Sequence, residues 1–151
     1  MNSVFQRTHQ LLIRTRTGGL LFLFGGGIYA SIELLYRQQT YLSMFFAGGC
    51  SLLLIHRWCN NRRSAHRPLI VRCAIGSAAI TVVEFVFGLL FNRSHHVWDY
   101  SALPFNLAGQ ICLPFSLIWG VLSLPAMVLS KWMVQVLAHP TASNRIPLQN
   151  A

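Results

Sequence analysis

Acidic residues are nearly missing from this chain: Glu33, Glu84 and Asp99 are the only three in 151 residues, against 12 Lys and Arg. Charged residues of both signs make up 10% of the sequence, where a soluble domain carries roughly 25%. So little charge speaks against a water-solvated globular surface.

Signatures of metal binding and nucleophilic catalysis are missing too. Cys50, Cys59, Cys73 and Cys112 form no CxxC pair and have no histidine at zinc spacing, so they read as small packing residues. There is no GxSxG elbow and no HExxH helix, and neither Ser101 nor Ser116 has a histidine placed to form a dyad. No catalytic residue, metal or cofactor is therefore assigned, and an enzyme is not expected. Gly25, Gly26 and Gly27 lack the Gly-Lys-Ser/Thr of a phosphate-binding loop and sit inside an apolar run, where close helix packing is the better reading. His95, His96 and Asp99 allow a metal reading if their loop is helical, but no fourth ligand accompanies them. Asn92-Arg93-Ser94 fits a glycosylation sequon close to the membrane and is given no weight.

What the chain has in abundance is apolar length, with 54% hydrophobic residues. Four runs, about 18–35, 40–58, 69–91 and 105–129, are each near the roughly 20 residues that cross a bilayer as a helix. They predict an all-α fold, an integral membrane bundle of four transmembrane helices over 18–133, with a basic segment at 1–17 and a tail at 134–151. The first segment sets Arg7, Arg14 and Arg16 among Val4, Phe5, Leu11, Leu12 and Ile13, which suits an interfacial amphipathic helix or a basic tail. A cleaved signal peptide is the other reading of this end, but three further spans downstream favour an uncleaved first helix.

The basic residues flank the apolar runs instead of lining one helical face, which points to lipid headgroups and away from nucleic acid. Arg7, Arg14, Arg16, Arg57, Arg62, Arg63, Arg67, Arg72, Lys131 and Arg145 fall on one side of the predicted membrane, and Arg37 and Arg93 on the other. The positive-inside bias then puts both termini and the basic middle loop in the cytoplasm, and the loop 92–104 outside. Trp98, Tyr100 and Phe105 in and beside that loop suit the headgroup level as interfacial aromatics.

Helices in lipid associate through small and polar residues. Stripes of this kind recur at helical spacing: Gly26, Ala30, Glu33 and Arg37; Ala47 and Ser51; Ala74, Ser77, Thr81, Glu84 and Gly88; Gly109, Cys112, Ser116, Gly120 and Ser123. Pro114 inside the fourth run predicts a kink. Glu84 lies about 10 Å below the outer end of its span at the helical rise per residue. An acid at that depth costs roughly 2.5 to 3.5 kcal/mol to insert and needs partners. Glu33, Arg37, Arg93, Asp99, Asn106 and Gln110 fall at or near the same level, with Asn106 and Gln110 expected on the first turns of span four and Arg93 just beyond span three. They are expected to gather with Glu84 into one outer-half polar cluster, a candidate ligand or ion site or a brace between helices. Glu33 and Arg37, four residues apart, also suit a purely local ion pair.

The run Val97-Trp98-Asp99-Tyr100-Ser101, then Leu103-Pro104-Phe105-Asn106-Leu107, then Gly109-Gln110-Ile111-Cys112-Leu113-Pro114-Phe115-Ser116-Leu117, closely resembles the signature of the ABC-transporter type IV (CmpB-like) family. Ile32-Glu33-Leu34-Leu35-Tyr36-Arg37, Met44 to Ile55, and Val83-Glu84-Phe85 with Gly88 and Asn92 are similar to the same family, so the resemblance covers roughly residues 20 to 125. It implies a small multi-pass protein of a bacterial inner membrane or plasma membrane, a permease-like part of a transport system. With no nucleotide-binding motif in this chain, ATP would come from a partner, and the basic segment 57–67 either docks an ATPase or only holds the topology; other membrane subunits are the further partners considered. The alternative is a non-transporting accessory protein whose polar cluster fixes helix packing.

Overall fold

The computed structural model describes residues 2–138, with side chains from residue 15 to 137 apart from Tyr36. Arg7, Arg14 and Arg145, and the tail beyond residue 138, lie outside the described side chains. Four long helices dominate: α1 (Asn2–Arg37), α2 (Leu42–Cys59), α4 (Leu69–Phe91) and α5 (Leu113–Ala138), with a single-turn α3 (Arg62–Ala65) between α2 and α4. Thr15–Leu35, Leu42–Cys59, Leu69–Phe91 and Leu113–Leu137 are each long and apolar enough to span a bilayer.

The helix ends follow from local chemistry. Gln38, at φ +56°, closes α1 in the left-handed conformation, its N–H donating to the Leu34 carbonyl at 3.0 Å. Only four residues then reach α2, which forces the two helices into an antiparallel hairpin. The Asn61 carboxamide caps α3 by accepting from the Ser64 N–H at 2.7 Å. Arg72 donates to the Cys59 carbonyl and the Asn60 side chain, each at 3.0 Å, and Asn60 donates to the Met127 carbonyl at 2.8 Å. Those bonds tie α2, α4 and α5 together at the end of the bundle that carries the arginine-rich connector, the basic end.

The fourth span departs from the sequence reading. It begins at Leu113, not near Phe105, and residues before it form a short antiparallel ladder, β1 (Asn106–Leu107) with β2 (Ile111–Cys112), paired Asn106↔Cys112 and Leu107↔Ile111. Phe105, Ala108 and Gly109 all have positive φ, so no helix can pass through them. The cause is Asn106, whose side chain donates to the Ser101 and Leu103 carbonyls and accepts from the Gly109 N–H, offering the backbone partners that compete with a helix. Pro114 consequently sits in the first turn of α5, where its missing N–H frees no carbonyl, and the expected kink there has no basis. Pro125 is the proline inside the helix.

Large apolar side chains face outward along every span, among them Leu23, Val82, Val86, Leu117, Val121 and Val128. Several small residues face inward. A methyl added to Gly25 would lie 2.8 Å from the Gly48 carbonyl oxygen, and one added to Gly49 would lie 2.7 Å from that of Phe22, so α1 and α2 touch backbone to backbone. Ser77 and Thr81 of α4 donate to the carbonyl and hydroxyl of Ser116 on α5, and the Gly88 position is filled by Gln110. Ala74 departs from its stripe and is exposed. α2 packs against α1, α4 and α5, whereas α1 meets chiefly α2.

Candidate functional site

Glu84 is buried on α4, at 8% exposure, and each of its oxygens accepts one hydrogen bond. The Tyr100 hydroxyl donates to Oε1 at 2.8 Å, and the Trp119 indole N–H donates to Oε2 at 2.9 Å. The Tyr100 ring stacks on Phe115 with centroids 4.6 Å apart, and Phe115 lies against Trp119. Beside the carboxyl is a cavity of about 20 Å³, room for about one water, bordered by Tyr29, Met44, Ser51, Trp98 and Trp119.

Tyr100 and Trp98 belong to the connector 92–112, which folds over the bundle as a cap. Asn92, at 1% exposure, organises it. Its Oδ1 accepts from the Val97 N–H at 2.8 Å, and its Nδ2 donates to the Trp98 carbonyl at 2.7 Å and to Gln110 Oε1 at 3.0 Å. Gln110 Nε2 returns a bond to the Asn92 carbonyl at 2.9 Å, and Trp98 Nε1 donates to the Gln110 carbonyl at 2.8 Å. Every polar group of this buried knot finds a partner, as its low-dielectric setting demands.

The single polar cluster expected from sequence is divided among separate sites. Glu33 pairs with Arg37, which also donates to the Val97 carbonyl of the cap, while Thr40 donates to Glu33 at 3.1 Å. Gln110 is buried in the Asn92 knot and not on a helix turn. Asn106 is exposed on β1 and serves loop carbonyls. Asp99 is exposed and accepts from the Ser101 hydroxyl and backbone N–H, which hold its carboxyl below the ordinary range. The cavity described above lies beside Glu84.

The aromatics also divide. Phe105 is exposed, at 82%, whereas Trp98 is buried and Tyr100 points inward to Glu84, so neither of these two faces outward as an anchor would. Burial, and the nearby Glu84 charge, push the Tyr100 phenol above its ordinary pKa, so it remains a donor. His95 uses Nε2 on the Ala108 carbonyl at 3.0 Å, and among the described residues no three metal-ligating side chains converge.

Trp119 and Asn92 are the site residues that the sequence reading did not single out as such. Trp119 lies three residues from Ser116 and four from Ser123, on the same small-residue face, and a buried indole N–H needs an acceptor; that combination was the available signal. Trp119→Phe keeps an aromatic ring, though a smaller one, and leaves Oε2 without its donor, and is expected to lower stability by about 1.5 kcal/mol or more in detergent melts. An unchanged melting temperature would show that the bond contributes nothing.

Four apolar helices, backbone contacts through glycine and a lipid-facing apolar exterior define an all-α, four-span membrane protein. The model of the family described as Putative ABC-transporter type IV matches residues 16–148, and the chain belongs to that family, which associates it with membrane transport. No solved structure matches the chain.

Proposed function

We propose that this protein is the membrane-embedded, permease-like component of a transport system and that the Glu84 pocket is its solute or ion site. The observation that carries the reading is that a carboxyl deep in the cap-end half is held by two neutral donors and not by a cation, beside a water-sized cavity. Intramembrane acids in that position commonly mark transport paths. The charge asymmetry supports cytoplasmic termini and a cytoplasmic basic end, with the cap outside, in a bacterial inner or plasma membrane. Arg57, Arg62, Arg63 and Arg67, all exposed at the basic end, offer a cationic surface to an ATPase subunit that supplies energy.

A second reading has its own support: both carboxyl oxygens are already satisfied, as in a fixed brace between α4, α5 and the cap. Flux separates the two. In proteoliposomes, Glu84→Gln is expected to lower solute flux by about tenfold or more while the bundle remains assembled, the loss of one charged contact being worth at least 1.4 kcal/mol or so. Undiminished flux in an assembled Glu84→Gln protein would remove Glu84 from the path.

A further inference from the structure

Resting on the transport reading, we infer that the Glu84 pocket takes a protonated amine carrying a ring-sized apolar body, and that this ligand enters by replacing the Tyr100 side chain. Three observations converge. First, the carboxyl is charge-deficient in its partners: Tyr100 and Trp119 are neutral donors, and the ion pair found among the described residues, Arg37 with Glu33, lies elsewhere. An ammonium N–H is a stronger complement to a buried carboxylate than a phenol, because charge–charge attraction adds to the hydrogen bond.

Second, the walls include aromatic side chains. Tyr29, Trp98 and Trp119 border the cavity, and Phe115 lies under the Tyr100 ring. Aromatic faces attract cations, most strongly where water is excluded. Apolar walls with a single acid select an organic cation over a hydrated metal ion, which would demand several more oxygen ligands.

Third, Tyr100 occupies the site in the way such a ligand would. It comes from the cap and not from a membrane helix, it stacks one ring on Phe115, and it points one hydrogen-bond donor at Glu84 Oε1. The cavity holds about one water, so a larger molecule needs more room beside Glu84, and displacing Tyr100, which bonds Oε1, supplies it. The space released is that of one six-membered ring with a donor at its far edge. An arylalkylammonium ion restores both the stack and the bond, with the sign of charge that the tyrosine lacks.

The test is equilibrium binding of 2-phenylethylamine, protonated at neutral pH, to the full chain in nanodiscs of uncharged lipid, with the neutral isostere 2-phenylethanol as control. Saturable binding of the amine, about tenfold or more tighter than the alcohol and lost in Glu84→Gln, is expected. Tyr100→Phe, which keeps the stack and removes the competing donor, is expected to tighten amine binding about threefold. Equal binding of amine and alcohol, or full retention of amine binding in a folded Glu84→Gln protein, overturns the inference. If Glu84→Gln does not fold, Tyr100→Phe decides, and unchanged or weaker amine binding overturns it. Absence of amine binding alongside a Glu84-dependent flux of an inorganic cation overturns the substrate class and leaves the transport reading standing. Absence of amine binding with flux indifferent to Glu84→Gln overturns both.

Discussion

Asn92→Ala is expected to cost about 3 kcal/mol and to free the cap from the bundle, because it strips partners from three buried groups at once. Those groups are the Val97 N–H, the Trp98 carbonyl and Gln110 Oε1. Water reaches part of the knot once it loosens, which keeps the total below three full desolvation penalties. Two measurements check it: the melting temperature in detergent, and limited proteolysis within the exposed stretch around Asp99 to Leu107. A protein that melts and resists protease like the parent would mean that the cap is held by something other than Asn92. Asn92→Asp restores only the acceptor for Val97 and is expected to recover only part of the loss. The sequon at this position has a physical obstacle, since an amide nitrogen already donating to two buried acceptors is not open to a glycosyl transfer in the folded state.

Gly48→Leu is the second large effect. Its Cβ would stand 2.4 Å from Tyr29 Cβ and 2.8 Å from the Gly25 carbonyl oxygen, and a backbone atom cannot move aside without separating the helices. Overpacking of this kind costs about 3 kcal/mol or more. Tyr29 borders the Glu84 cavity, so the damage should reach the site as well. Gly27→Ala is the contrasting control: nothing lies within 4 Å of a methyl there, and removing a helical glycine is expected to stabilise by about 0.5 to 1 kcal/mol. Both are read from detergent melts; equal melting of the two variants would refute the close backbone contact.

The contrast between Gly27 and its neighbours marks where sequence stopped being informative. Apolar length made all four spans legible, because no alternative fold hides so many large side chains, and the small-residue stripes pointed Ser77, Thr81, Glu84 and Gly88 inward as found. Periodicity gave no way to see that Gly25 and Gly26 meet α2 while Gly27 meets nothing. The start of α5 was misplaced because the hydropathy of Phe105 to Cys112 continues that of the helix, whereas the deciding factor is the hydrogen bonding of one side chain, Asn106. Position along each span also gave no means of telling which partner a polar group takes: Glu33 pairs with Arg37, Gln110 bonds Asn92, and Glu84 bonds Tyr100 and Trp119. The partner of Glu84 from α5 was an indole, a group whose single polar hydrogen is easily overlooked beside its large apolar body.

The near-exclusive pairing of α1 with α2 bears on how the chain is made. Joined by four residues and meshed through glycine backbones, these two helices can enter the bilayer as one unit before the rest of the chain is synthesised, and α4 with the cap and α5 forms the other unit. The arginine-rich connector between them is the natural seam: two polypeptides divided there would each insert as a hairpin and find each other in the plane of the membrane through α2, the helix that touches all the others.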